Sequence, residues 1–375
     1  MSRFSRLREV AVLFLRLGLT AFGGPAAHVA IIEEECVRRR QWLTREQFLD
    51  VLGAANLIPG PTSTELAMHV GLRRAGWPGL LVAGVSFIVP AALVVGVLAA
   101  VYSEAGRLPA FDGVLRAVKP VVVVVVLQAL IGLSRTALRS TRTVIVSLAA
   151  LAAVALGASE ILVLLGAGVL SAAAGRSWRP TAAVAMCIAA GATGTAAAAD
   201  MSVAVALPSL FAYFVKAGSA IFGSGYVLLA LLRSDLVAGS HWLTEGQLLD
   251  AIAVGQITPG PVFTTATFIG FLLGGSAGAA VATVGIFLPS FVFTALSAGV
   301  LHRLQGSAIA RRFLDGVSGA AVALIALVTW TLAQAAVTDM SMVALAVSAA
   351  VLVGWFRLNS SWAIAGAAAI GAWLL

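Results

Sequence analysis

Two Pro-Gly-Pro triplets, Pro59-Gly60-Pro61 and Pro259-Gly260-Pro261, stand inside otherwise apolar sequence. Each removes two backbone donors and adds a flexible point, so an α-helix must break there. Thr62, Ser63 and Thr64 follow the first break, and Thr264 and Thr265 follow the second. Each set begins a half-helix whose free N–H groups and positive dipole end, beside hydroxyls, can hold an anion. Asn56 and Gln256, just before the breaks, can add amide donors. The competing reading is a purely structural kink.

A second pair of breaks lies upstream, at Gly23-Gly24-Pro25 and Gly223-Ser224-Gly225. Glycine there admits either a ligand against the backbone or close packing of two helices. His28 follows the first of these breaks; Leu228 stands at the matching place after the second. An intramembrane histidine could bind an anion, move a proton or pair with a neighbour. Arg16 and Lys216 lie inside apolar runs and either draw anions inward or snorkel to the surface. Glu65 sits beside the first Pro-Gly-Pro break, where a bound anion would favour its protonated form, so it is a proton-coupling candidate. Asp50 and Asp250 are further candidates. The alternative for both is a structural one: pairing with Arg16, with Lys216 or with backbone, because an unpaired buried carboxylate is costly. Arg116 and Lys119 are weaker anion candidates. No metal-ligand spacing is present, and no cofactor is implied.

These residues belong to one unit written twice. With an offset of 200, Phe14, Gly18, Phe22 and Gly23 match Phe214, Gly218, Phe222 and Gly223. Trp42, Leu43, Thr44, Gln47, Leu49 and Asp50 match Trp242, Leu243, Thr244, Gln247, Leu249 and Asp250. Chance similarity of apolar segments would match Leu, Val and Ala instead of Trp, Gly, Pro and Thr. The two units divide as residues 1–200 and 201–375. Thr44 with Gln47, and Thr244 with Gln247, read as capping boxes that start the helices leading to the Pro-Gly-Pro breaks.

The chain is 60% hydrophobic and 11% charged, too little charge to cover a water-facing surface, so lipid is its main solvent. The net charge of +8 sits in short loops between apolar runs and gives no nucleic-acid domain. The basic N-terminus resembles a signal region, but no small-residue cleavage site follows, and it reads as mature sequence. Simple spans fall near 77–103, 113–135, 143–158, 160–175, 180–198, 276–301, 314–337, 340–355 and 361–375. Tryptophans read as interface anchors.

Arg3, Arg6 and Arg8 place the N-terminus in the cytoplasm. Arg38, Arg39, Arg40 and Arg45 precede the first Pro-Gly-Pro segment, and Arg73 and Arg74 follow it. Both flanks are therefore cytoplasmic, and the segment enters and returns as a hairpin. In the second unit the matching loops are charge-poor, while the loop from His302 to Arg312 is basic. The bias swaps sides, and the stretch 180–198 supplies the odd crossing. The expected fold is an all-α polytopic membrane protein of two inverted repeats, each opening with two re-entrant broken hairpins. A parallel repeat is the alternative.

The motifs have a family likeness. Phe22-Gly23-Gly24-Pro25-Ala26-Ala27-His28, the run from Ala55 to Glu65, Phe222-Gly223-Ser224-Gly225-Tyr226, the run from Gly255 to Thr265, and Phe313-Leu314-Asp315-Gly316-Val317 resemble the chromate ion transporter (CHR) family in its two-domain form. The resemblance covers nearly the whole chain. It implies efflux of chromate, with sulfate as a chemical look-alike, through a bacterial inner membrane, and a role in chromate resistance. Partners are then the oxyanion and the bilayer, with a homodimer left open.

A dianion leaving an inside-negative cell gains ~4.6 kcal/mol per 100 mV, so voltage or protons can drive export without a nucleotide site. Uptake of sulfate-like anions and a passive anion channel are the other transport readings. An intramembrane enzyme would need a nucleophile–base pair or a metal cluster, and the scattered histidines and cysteines offer none.

Overall fold

The computed structural model describes residues 2–105, 109–173, 205–222, 225–297, 307–356 and 358–374. The expected span at 180–198, the site positions Gly223 and Ser224, and most of the basic loop after residue 297 lie outside these.

All regular structure among the described residues is helical, and the two units repeat it element for element. The first unit runs α1 (Arg3–Thr20), α2 (Gly24–Glu33), a wide π-type turn (Glu34–Arg39), α3 (Arg45–Ala55), α4 (Thr62–Ala75), α5 (Trp77–Ala105), α6 (Pro109–Ala137), α7 (Thr141–Ala155) and α8 (Glu160–Ala173). The second runs α9 (Leu207–Ala220), α10 (Val227–Leu232), a second π-type turn (Arg233–Gly239), α11 (Glu245–Ile257), a short 3₁₀ turn (Val262–Thr264), α12 (Thr265–Ser297), α13 (Ala308–Ala336), α14 (Met340–Gly354) and α15 (Ser360–Leu374).

Local chemistry explains the starts and stops. Both capping boxes form: Thr44 and Thr244 accept from the Gln47 and Gln247 N–H groups, and each glutamine side chain reaches back to the cap residue's N–H. Two orphan donors are satisfied at each helix start. α12 is two arms, bent at Gly274 and Gly275, and this bend matches Gly76 between α4 and α5. At both bends the arms touch backbone to backbone, Gly71 against Gly79 and Gly270 against Gly278. Lipid gives helices no hydrophobic drive to associate, so close contact through small residues holds such hairpins.

Among the described residues, four stretches are long and apolar enough to cross a membrane: Trp77–Glu104, Gly113–Ala137, Val262–Ser297 and Ala308–Ala336. The third contains the bend, so its second arm is the span expected at 276–301. α7, α8, α14 and α15 have 14 or 15 residues each. At ~1.5 Å per residue they fall short of a ~30 Å hydrocarbon core.

The units interlock. α6 packs against α14 and α15, and α13 packs against α7 and α8, so each long helix is embraced by the other unit's last pair. Val121–Val126 of α6 and Gly319–Ile325 of α13 form the buried centre. Arg116 on α6 pairs with Asp339, the N-cap of α14, at 2.6 Å. Trp77, Trp330, Trp355, Trp362 and Trp373 are exposed on the outside, as interface anchors are.

Candidate functional site

In a Pro-Gly-Pro triplet only the glycine carries an N–H, and both glycine N–H groups cross to the other unit. Gly60 N–H donates to the Ile221 carbonyl at 2.7 Å, and Gly260 N–H donates to the Ala21 carbonyl at 2.9 Å. Ala21 and Ile221 cap the C-termini of α1 and α9, where helices leave carbonyls without partners. Each break therefore satisfies the opposite unit's break. Gly60 has φ 139° and Gly260 has φ 89°, a region that glycine tolerates and other residues avoid.

This pinning gathers all four breaks around one cavity of about 450 Å³. Gly23, Pro25 and Ala26 line it from the start of α2, and Pro61, Thr62 and Ser63 from the start of α4. Gly225 and Tyr226, with Val262 and Phe263, line it from the second unit. α6 closes the wall with Gln128 and Thr136 among its apolar residues, and Ser360 comes from α15. Pro25 lies against Gly225, and Gly24 lies beside the Tyr226 hydroxyl.

The polar surface of this cavity is made of hydroxyls, one amide and helix starts. Neither Gly23 nor Pro61, the N-caps of α2 and α4, supplies a side-chain cap. The N–H groups of Thr62 and Ser63 precede the first intrahelical acceptors, so both helices present donors and a positive dipole end here. No lysine or arginine is among the described lining residues.

The second unit does not mirror the first. Thr264 and Thr265, expected to offer hydroxyls to an anion, instead donate to the Pro261 and Val262 carbonyls, each at 2.8 Å. Both are fully buried, and Val262 and Phe263 face the cavity in their place. The 3₁₀ turn tightens the chain after Pro261 and draws those hydroxyls back. Thr64 is also fully buried and outside the lining. Asn56, expected as a donor, caps the C-terminus of α3 and is exposed. Gln256 is buried beside the Tyr226 hydroxyl.

The structure places His28 outside the cavity lining, where it braces α2 against the end of α1. Its Nε2 donates to the Ala21 carbonyl at 3.0 Å, and its ring stands edge-on to Phe87. It is buried and does not line the cavity. His28→Leu, which copies Leu228 of the second unit, should therefore fold at a cost of about 1 kcal/mol, the worth of one hydrogen bond. Thermal unfolding in detergent checks this; a loss of several kcal/mol, or failure to fold, would contradict it.

Arg16 and Lys216, expected to draw anions, are each matched by a carboxylate. Arg16 pairs with Glu35 at 2.7 Å, and Lys216 pairs with Asp235 at 3.0 Å. The same spacing in both units brings α2 and α10 back beside α1 and α9. Burial alone would raise the Glu35 carboxyl, but Arg16, Arg40 and Arg39 outweigh it and hold it below the usual range.

Asp50 and Asp250 pair with neither Arg16 nor Lys216 among the ion pairs found. Asp250 is buried, accepts from the Tyr102 hydroxyl at 3.0 Å, and faces Lys119 Nζ at 3.5 Å. Asp50 lies exposed in a surface groove with Ser307 and Arg311. Glu65 is fully buried, with no hydrogen bond to either carboxylate oxygen.

Sequence reasoning missed Tyr226, Gln128, Thr136 and Ser360 as lining residues. A lone glutamine in an apolar run was the one available signal, at Gln128. Lys119 was undervalued because its partner lies in the other unit.

A polytopic membrane protein of two equivalent units, with broken helices meeting at a half-open cavity, has the build of a secondary transporter. The chain belongs to the Chromate transporter family, which matches residues 8–172 and again 208–372. It is 33% identical to the chromate transport protein of Cupriavidus metallidurans, over 97% of this chain and 92% of that protein. It is 31% identical to the chromate transport protein of Pseudomonas aeruginosa, over 86% and 80%. A probable chromate transport protein of Synechococcus elongatus is 28% identical over 95% and 90%. No solved structure matches the chain.

Proposed function

We propose that this protein carries a chromate-type tetrahedral oxyanion out of the cytoplasm, by alternating access around the cavity where the four breaks meet. One observation carries the reading: two uncapped helix starts and the Thr62 and Ser63 side chains line a single cavity between the units. A dianion needs several converging donors, and free N–H groups beside hydroxyls supply them. With no lysine or arginine among the described lining residues, the anion is held in this reading by dipoles and hydrogen bonds. Such holding is weak enough to allow release, which transport requires.

The two units are inverted in this reading. Gly60, at the start of α4, lies beside Ser290, and His69, further along α4, lies beside Ser297. α4 thus runs parallel to the second arm of α12 and opposite to its first arm, which is α4's own counterpart. The repeats meet as units 1–200 and 201–375, in a bacterial inner membrane, with the N-terminus in the cytoplasm. An inside-negative potential favours export, since a dianion moving outward gains ~4.6 kcal/mol per 100 mV. A homodimer is compatible with this reading but plays no part in it.

The test is chromate and sulfate flux by purified protein in vesicles. Replacing Thr62 by Val together with Ser63 by Ala should raise the half-saturating concentration by roughly 100-fold or more, from two hydrogen bonds to a charged ligand at ~1.5–3 kcal/mol each. Thr264→Val should act on stability instead, because that hydroxyl already serves Pro261. Unchanged saturation in the Thr62/Ser63 variant would remove the proposed site. Flux that fails to saturate and depends weakly on temperature would favour a channel.

A further inference from the structure

The contact between α4 and the second arm of α12 carries a line of buried polar groups. On α4, Glu65 and His69 are one helical turn apart, so they share a face. On α12, Ser290, Thr294 and Ser297 share the face that meets it. Glu65, Ser290 and Thr294 are fully buried, and His69 and Ser297 nearly so. The space beside Gly60 is shared by a Glu65 carboxylate oxygen and the Ser290 hydroxyl. At the other end the Ser297 hydroxyl lies 3.4 Å from His69 Nε2. Arg73 and Arg74 follow one turn later, where α4 ends.

Among the described residues, both Glu65 oxygens, the Ser290 hydroxyl and the Thr294 hydroxyl find no hydrogen-bond partner. The elements packed on α4 bring no ionic partner to Glu65. α1 commits Glu9 to Arg74 and Arg16 to Glu35. α2 commits His28 to Ala21, α3 leaves Asp50 exposed, and α5 has Glu104 exposed at its far end. A fully buried carboxylate without a partner is too costly to keep for packing alone.

The repeat supplies an internal control. The counterparts of Glu65 and His69 are Thr265 and Ile269, and those of Ser290, Thr294 and Ser297 are Ala91, Val95 and Leu98. Ala91 lies beside Gly260 as Ser290 lies beside Gly60, so the equivalent contact exists and is apolar. The polar line is not a requirement of the fold.

We propose that this line is a proton route, with Glu65 as the carrier and Ser290, Thr294, Ser297 and His69 leading to the basic face where α4 ends. The inference rests on the oxyanion reading above. Glu65 is on the first turn of the helix whose Thr62 and Ser63 line the cavity. A dianion there and a charged carboxylate repel, so anion binding favours the protonated Glu65. Linkage is reciprocal: protonation favours anion binding by the same factor. One proton therefore travels with each dianion in the same direction, and the net charge moved falls from two to one. An inside-negative potential still favours outward movement of that single negative charge.

The experiment uses the full chain in vesicles with a trapped pH-sensitive dye, an outward chromate gradient, a clamped potential and alkaline buffer that keeps chromate a dianion. The expected wild-type result is alkalinisation of the lumen, with about one proton leaving per chromate. In Glu65→Gln the proton-to-chromate ratio should fall roughly tenfold or more, while Glu65→Asp should retain it. Ser290→Ala with Thr294→Val, which leaves the carboxylate in place, should slow proton movement severalfold. Chromate flux without proton movement in the wild type, or a wild-type ratio in Glu65→Gln, would overturn the proton route and leave the oxyanion site standing. Absence of chromate flux in the wild type would overturn the transport reading itself.

Discussion

Replacing Gly60 by Ala should abolish oxyanion flux and lower the thermal unfolding midpoint in detergent well below that of a Gly76→Ala control. Both positions have positive φ, 139° at Gly60 and 71° at Gly76, so both substitutions strain the backbone. That strain costs about 1–3 kcal/mol. They differ in what the new methyl group meets. At Gly76 it enters open space; at Gly60 it overlaps the Glu65 carboxylate and the Ser290 hydroxyl. Relieving the overlap moves α4 away from α12 and pulls the Gly60 N–H off the Ile221 carbonyl. The orphaned carbonyl adds about 1–3 kcal/mol more. Equal midpoints and equal flux in the two variants would show that the crossed breaks do not depend on this contact.

Replacing Lys119 by Met should destabilise the protein by about 1–3 kcal/mol, because it takes the neighbouring cation away from a buried carboxylate. Asp250 is 3% exposed and has Lys119 and Tyr102 as its neighbours, from α6 and α5. The pair thus ties α11, which leads to the second Pro-Gly-Pro break, to two long helices of the other unit. Adding Asp250→Asn to Lys119→Met removes the buried charge as well and should recover part of the loss. Asp50→Asn should change little, since that carboxylate is exposed. The readout is unfolding of the three variants and the wild type in one detergent. A Lys119→Met protein as stable as wild type would mean that water or another cation reaches Asp250.

What the sequence disclosed was local or repeated. The Thr44 and Thr244 capping boxes, the Pro-Gly-Pro breaks and the pairing of the two units could all be read from residue type and spacing. Proline and glycine dictate backbone breaks wherever they stand, and an exact offset of Trp, Thr and Pro needs no tertiary knowledge. The convergence of the breaks followed from the duplication, but the roles of individual side chains did not. Thr264 and Thr265 matched the pattern of Thr64 and Glu65 positions, yet a 3₁₀ turn redirected their hydroxyls to the backbone. Arg16 was offered Asp50 as its structural partner, and Glu35 was missed because it lies nineteen positions on, beyond a break whose return geometry is tertiary. His69, Ser290, Thr294 and Ser297 were invisible as a set because they meet only where the two units pack. A serine or threonine in an apolar helix is ordinary by itself, bonding back to its own turn. Only the neighbour across the interface makes it part of a line.

The central claim is that the oxyanion sits where the four breaks meet. The most direct test is an experimental structure of the protein equilibrated with chromate. The account predicts the anion between the starts of α2 and α4, within hydrogen-bond reach of the Thr62 and Ser63 hydroxyls and N–H groups. Chromate bound instead in the cleft of Arg16, Glu35 and Arg39, with the four-break cavity empty, would contradict it.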